Sequence, residues 1–221
     1  MKWFKRKWLW LFINLLAILP LASLIGLMEI SFSTLEFIVH YPEGLLENPG
    51  LKGKDISPFW FPIHLTGEWA IRWLVFSLLC TPLNILFAWK KILKVKKLTG
   101  LWAFAYSLIH LLFFISDSGV LATFGELNTI LGFVSFLIML VLALTSNKDS
   151  HQWLKKSWKK LHRYVYAAGV LAVFHVVLLN KGWELYGILL GFGFIIRMPV
   201  VKTFILKLRR MKNVNEVKLA N

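Results

Sequence analysis

Six stretches of about 20 mainly apolar residues recur along this 221-residue chain, each long enough to cross roughly 30 Å of hydrocarbon as a helix. In lipid every backbone N–H and C=O must be satisfied internally, so a chain with this pattern folds as helices. The stretches cover about 8–29, 66–89, 98–117, 127–146, 161–180 and 185–206. The fold class expected is all-α: a polytopic membrane bundle of about six transmembrane helices forming one transmembrane domain over 1–221. No soluble domain is expected at either end, and no internal repeat is evident. The first stretch follows a basic start, as a signal peptide would. Its apolar run, Trp8 to Met28, exceeds a typical signal core and no A-x-A site follows, so it reads as a retained span. The longest connection is the outer loop 30–65, broken by Pro42, Pro49, Pro58 and Pro62. The shortest, residues 181–184, demands a tight hairpin.

Charge orients these spans. Of the 26 Lys and Arg, 21 fall in four blocks (the amino terminus, 90–97, 148–163 and 202–218) accompanied by only Asp149 and Glu216. The opposite connections hold Lys52, Lys54 and Lys181 beside the other nine acids. The positive-inside rule puts both termini in the cytoplasm and the chain in contact with membrane lipid. It also accounts for the net charge of +15 without a nucleic-acid partner, which would need a basic groove on a soluble surface. The single cysteine, Cys80, lies within an apolar run and supports neither a disulfide framework nor a thiolate metal site.

Ionisable groups at membrane depth are costly and point to function. His110 lies 13 residues beyond Lys97, and His175 lies 15 beyond Lys160, on spans running the same way. Each imidazole is therefore about 20 Å above its basic boundary. Two histidines at matched depth on different helices suit bis-histidine haem ligation; each hydrogen-bonding a neighbouring helix is the alternative. His162, near the basic face, precedes His175 by 13 residues, a rise of about 20 Å with the side chains about 140° apart. It reads either as a ligand of a second, inner haem or as a snorkelling interfacial histidine. His64, at the outer mouth of the second span, is a candidate ligand, proton-transfer or docking group. Arg72, Arg197, Lys96 and Lys97 are candidate contacts for haem propionates, with a structural ion pair to acids such as Glu68 the alternative for the arginines. No hydrolase, phosphate-loop or dinucleotide motif is present, and no catalytic residue is assigned.

Four segments carry a family resemblance: Thr66-Gly67-Glu68-Trp69-Ala70; Thr81-Pro82-Leu83; Leu98-Thr99-Gly100-Leu101-Trp102 leading to His110; and Trp158-Lys159-Lys160-Leu161-His162-Arg163-Tyr164-Val165-Tyr166 leading to His175. From about residue 64 to 200 the chain resembles the haem-binding membrane subunits of the bacterial periplasmic methionine sulfoxide reductase system, within the ferric reductase-like transmembrane group. The resemblance implies haem b, in one or two copies, with FMN as a further cofactor. It implies electron flow from quinol or a cytosolic flavin reductase to a periplasmic molybdopterin subunit that reduces methionine sulfoxide. His110, His162 and His175 occupy the family's histidine positions, and His64 also matches one. Two features depart from the family. Lys96 and Lys97 stand where the wider group places another histidine, and the 30–65 loop is long. A stand-alone ferric or quinone-linked reductase, and a non-redox transporter or assembly protein, are the alternative functions.

Overall fold

The computed structural model describes residues 7–28, 57–180 and 182–211 in full, and the backbone alone over 2–6, 29–31, 36–39 and 212–220. Helix α1 (Lys2–Leu27) leads into a short antiparallel pair, β1 (Met28–Ser31) and β2 (Glu36–Val39), with Met28 opposite Val39. Most of the expected outer loop lies outside the described residues. Then come α2 (Trp60–Phe87), α3 (Lys96–Ser118), α4 (Leu127–Leu144), the short α5 (Lys148–Leu154) and α6 (Lys156–Leu161), α7 (Val165–Leu178), α8 (Glu184–Arg197) and α9 (Pro199–Ala220).

Five helical stretches are long and apolar enough to cross a membrane: α1, α2, α3, α4 and the run Lys156–Leu178 that joins α6 to α7. Within that run, His162–Tyr164 winds as a 3-10 turn, tightening the helix locally. The stretch expected as one span over 185–206 instead forms two helices bent by 72°. The cause is local. Pro199 has no N–H to continue the ladder, and the residue before a proline is driven out of the helical region; Met198 accordingly sits at φ −54°, ψ 134°. α2 also begins six residues earlier than expected, so His64 is helical, in the second turn of α2.

The bundle is built from two helical hairpins, α2 against α3 and α4 against α7, with α8 packed on α2. Small and hydroxyl residues bring the helices close. Ser77 Oγ donates to the Lys96 carbonyl at 3.0 Å across the first hairpin, and Ser135 Oγ donates to the Ala168 carbonyl at 2.9 Å across the second. α1 is docked by Tyr106, whose hydroxyl donates to the Ala17 carbonyl at 2.6 Å, and by Trp102 Nε1, which donates to Asn14 Oδ1 at 3.1 Å. Large apolar side chains such as Ile25, Phe87 and Leu121 stay exposed, as a lipid-facing surface requires. The carboxyl ends of α2 and α4 and the amino ends of α3 and α6 share one basic end of the bundle, and Arg209 of α9 donates to the Asn84 and Ile85 carbonyls there.

Candidate functional site

At the opposite end the two hairpins face each other through His110 of α3 and His175 of α7. Their ring centroids lie 6.4 Å apart, with the ring planes crossed at 74°. Each ring is oriented by a backbone carbonyl from the first turns of its hairpin partner. His110 Nδ1 donates to the Ile63 carbonyl at 2.9 Å, and His175 Nδ1 donates to the Asn128 carbonyl at 2.7 Å. A proton on Nδ1 leaves the ring's lone pair on Nε2, the atom a metal would take. Each ring also lies against a glycine. A Cβ at Gly67 would sit 3.0 Å from the His110 ring, and one at Gly132 would sit 3.0 Å from Nδ1 of His175. A methyl at either position would require the ring to give by a few tenths of an ångström.

The two seats are copies of one another. Ile63, Gly67 and His110 stand in the same relation as Asn128, Gly132 and His175, every member of the second set 65 positions after its counterpart. No repeat is evident in the sequence, yet the fold sets these positions in matched pairs: two hairpins, each bringing one imidazole to their common interface. The glycines and the carbonyls are the functional positions that sequence reasoning missed.

Two imidazoles held this way fit a haem iron. Metal–nitrogen bonds of about 2 Å put the centres of two opposed imidazole rings about 6 Å apart. Among the described residues no three His, Cys, Asp or Glu side chains converge as a metal site. Two nitrogens alone are an incomplete set for a bare ion, but they complete one already carried by a macrocycle. The rings open onto a cavity of about 650 Å³, walled by Phe114, Phe133, Phe136 and Met139 and rimmed by Ser57, Glu68, Arg72 and Asp117. That size and apolar lining suit a large flat ligand.

His64 lines the same cavity. Its Nδ1 donates to the Trp60 carbonyl at 2.6 Å, and its ring lies 4.1 Å from the Trp60 ring. Arg72 reaches the rim, where it pairs with Glu68 at 2.5 Å and lies over the Trp69 ring. Both groups are half exposed, so the pair adds little stability.

The basic end is built differently. His162 stacks on Trp158 with centroids 3.9 Å apart, and its Nε2 bonds the Thr145 hydroxyl at 3.1 Å. That hydroxyl itself donates to the Val141 carbonyl at 2.7 Å, so Nε2 of His162 carries the proton. This is the reverse of the tautomer at the two seats. The position 65 before His162 is Lys97, which is exposed. Among the described residues the other histidine at this end is His151, whose ring meets Trp158 at 4.9 Å, so His162 packs against the indole and not against a second imidazole. Lys96 Nζ bonds the Thr81 hydroxyl at 3.4 Å. Arg197 donates to the Leu78 carbonyl and covers the Tyr166 ring at 4.9 Å, its Nε buried without a partner.

Residues 66–173 match the family described as ferric reductase like transmembrane component. The chain is 34% identical over 130 residues to the protein-methionine-sulfoxide reductase heme-binding subunit MsrQ of Cronobacter sakazakii, covering 55% of this chain and 62% of that one. It is 34% identical over 140 residues to the subunit of the same name from Yersinia pseudotuberculosis, covering 60% and 64%. It thus spans a little under two thirds of the length of these relatives. No solved structure matches. By these matches the chain is similar over residues 66–173 to the ferric reductase-like transmembrane component and, at 34% identity, to the MsrQ-type haem-binding subunits.

Proposed function

We propose that this chain is a membrane electron-transfer subunit that holds haem b between His110 and His175 and passes electrons outward to a methionine sulfoxide reductase. The observation that carries the reading is the paired seat: two imidazoles 6.4 Å apart, each with Nδ1 held by a carbonyl and its ring laid on a glycine. A bound haem would supply a one-electron centre. The chain's own residues do the rest. The Ile63 and Asn128 carbonyls, by accepting from Nδ1, fix the ring orientation and raise the basicity of Nε2. Phe133, Phe136 and Met139 keep the cavity apolar and exclude water.

The excess of Lys and Arg in four connections supports a cytoplasmic basic end and cytoplasmic termini in a bacterial inner membrane. The seat then lies toward the periplasm, with Arg72 and His64 on the side where an acceptor docks. Electrons enter at the other end, from quinol or a cytosolic flavin reductase. There His162, Lys96, Lys97 and Arg197 are the groups available to contact the donor or FMN. The proposed acceptor is a periplasmic molybdopterin subunit; the relatives' names support a methionine sulfoxide reductase as its enzyme.

The test is a reduced-minus-oxidised spectrum of the purified, haem-replete chain, followed by reoxidation. Rapid reoxidation by the molybdopterin subunit with a methionine sulfoxide substrate is expected. Absence of any Soret band would remove the redox reading. Reoxidation by ferric chelates alone, with the partner inert, would replace it with a stand-alone reductase.

A further inference from the structure

We propose that α9 is an in-plane helix that binds the anionic surface of the leaflet at the basic end, and is not the second half of a sixth span. The inference is independent of the haem reading. It starts from the 72° bend at Met198, which turns α9 away from the direction of α8.

The described part of α9, residues 199–211, is about 20 Å long and sorts cleanly by face. Val201 and Ile205 are half-buried against the bundle, and Arg209 beside them is tethered to the last carbonyls of α2. Next around the helix come Val200, Phe204, Leu208 and Met211, which fall within an arc of about 80° at 100° per residue. All four are exposed, Val200 at 76% and Phe204 at 61%. The remaining arc holds Lys202, Thr203, Lys207 and Arg210, with Leu206 the one apolar exception, and residues 199–211 contain no acid. Thr203 returns its hydroxyl to the Pro199 carbonyl at 2.7 Å, so it makes no demand on a partner.

An apolar arc beside one whose only charges are basic is the pattern of a helix lying at the boundary between headgroups and acyl chains. A span continuing straight through hydrocarbon would have to bury Lys202 and Lys207. In the plane of the leaflet, Val200, Phe204, Leu208 and Met211 dip into acyl chains while Lys202, Lys207 and Arg210 meet lipid phosphates. The charge complementarity selects an anionic leaflet, with each cation near the surface worth about fivefold in lipid association.

The test is a nitroxide scan. Single cysteines are placed at each position from 200 to 211 of the full chain in a Cys80→Ser background. The protein is reconstituted in phosphatidylcholine vesicles with or without phosphatidylglycerol. Collision with oxygen reports acyl-chain contact, and collision with an aqueous nickel chelate reports water. The expected result is a 3.6-residue alternation, with oxygen maxima at 200, 204, 208 and 211 and nickel maxima at 202, 206 and 210. Phosphatidylglycerol should sharpen that contrast severalfold, and K202Q/K207Q/R210Q should abolish the sharpening. Oxygen access changing steadily along the helix without alternation would restore the sixth span. High nickel access at every position would show a solvated helix. A scan unaffected by phosphatidylglycerol would overturn the anionic-lipid assignment. Any of these three results defeats the proposal.

Discussion

The α2–α3 hairpin and the α4–α7 hairpin are alike at one end and unlike at the other. At the cavity end both present a histidine laid on a glycine, with Nδ1 donating to a carbonyl. At the basic end the second hairpin offers His162, stacked on Trp158 and donating through Nε2, and the first offers Lys97. A large ligand placed between two symmetric hairpins needs the same contact from each, so symmetry survives where both halves must serve one group. Where it has lapsed, the two halves present different groups, His162 from one and Lys97 from the other. The seat and the basic end should therefore respond differently to substitution.

The largest effect is expected at the seat. His110→Ala and His175→Ala should each remove the same haem signal, by more than the 10–100-fold typical of losing a supporting group, as read from the difference spectrum per mole of protein. Loss from one variant alone would break the equivalence of the hairpins. Next come the glycines. Gly67→Ala and Gly132→Ala each push a methyl against a ring at 3.0 Å, an overpacking cost of about 1–3 kcal/mol, and should lower haem retention to similar extents. Gly100→Ala is the control. Its methyl would meet only Ser77 Oγ at 3.4 Å, so haem retention should stay unchanged while helix propensity rises by up to about 1 kcal/mol.

Smaller effects belong to the basic end. His162→Ala gives up one hydrogen bond to Thr145 and the stack on Trp158. That is about 1 kcal/mol for the bond and a similar amount for the rings, measured as a lower midpoint of thermal unfolding in detergent. The seat's spectrum should persist. Its disappearance would mean that the two ends share a ligand. Arg197→Lys keeps the charge but loses the planar contact with Tyr166, an effect of about 0.5–1 kcal/mol or somewhat more if the contact is fully dry. It should slow reduction by the donor without changing haem content.

The spans were legible because apolar length is the dominant cost in a bilayer, and counting turns put His110 and His175 at one level, where the fold brings their rings together. The bend at Met198 was also written in the chain, as a proline inside the last apolar stretch, but length alone masks it. The seat was only half legible. Ile63 and Asn128 act through carbonyls, which every residue has, so nothing in their side chains marks them. Gly67 and Gly132 acquire meaning only when one knows which helix faces which. The usable signal was spacing: each glycine precedes its histidine by 43 residues. His162 and Trp158 are four apart on one helix and so were bound to meet, but which nitrogen carries the proton depended on the hydroxyl of Thr145, from another helix.

The most direct test of the paired seat is low-temperature electron paramagnetic resonance of the ferric, haem-replete chain. Two imidazoles with planes crossed at 74° should give a single, strongly anisotropic low-spin species. A high-spin signal, from iron with only one protein ligand, would contradict the pairing of His110 with His175.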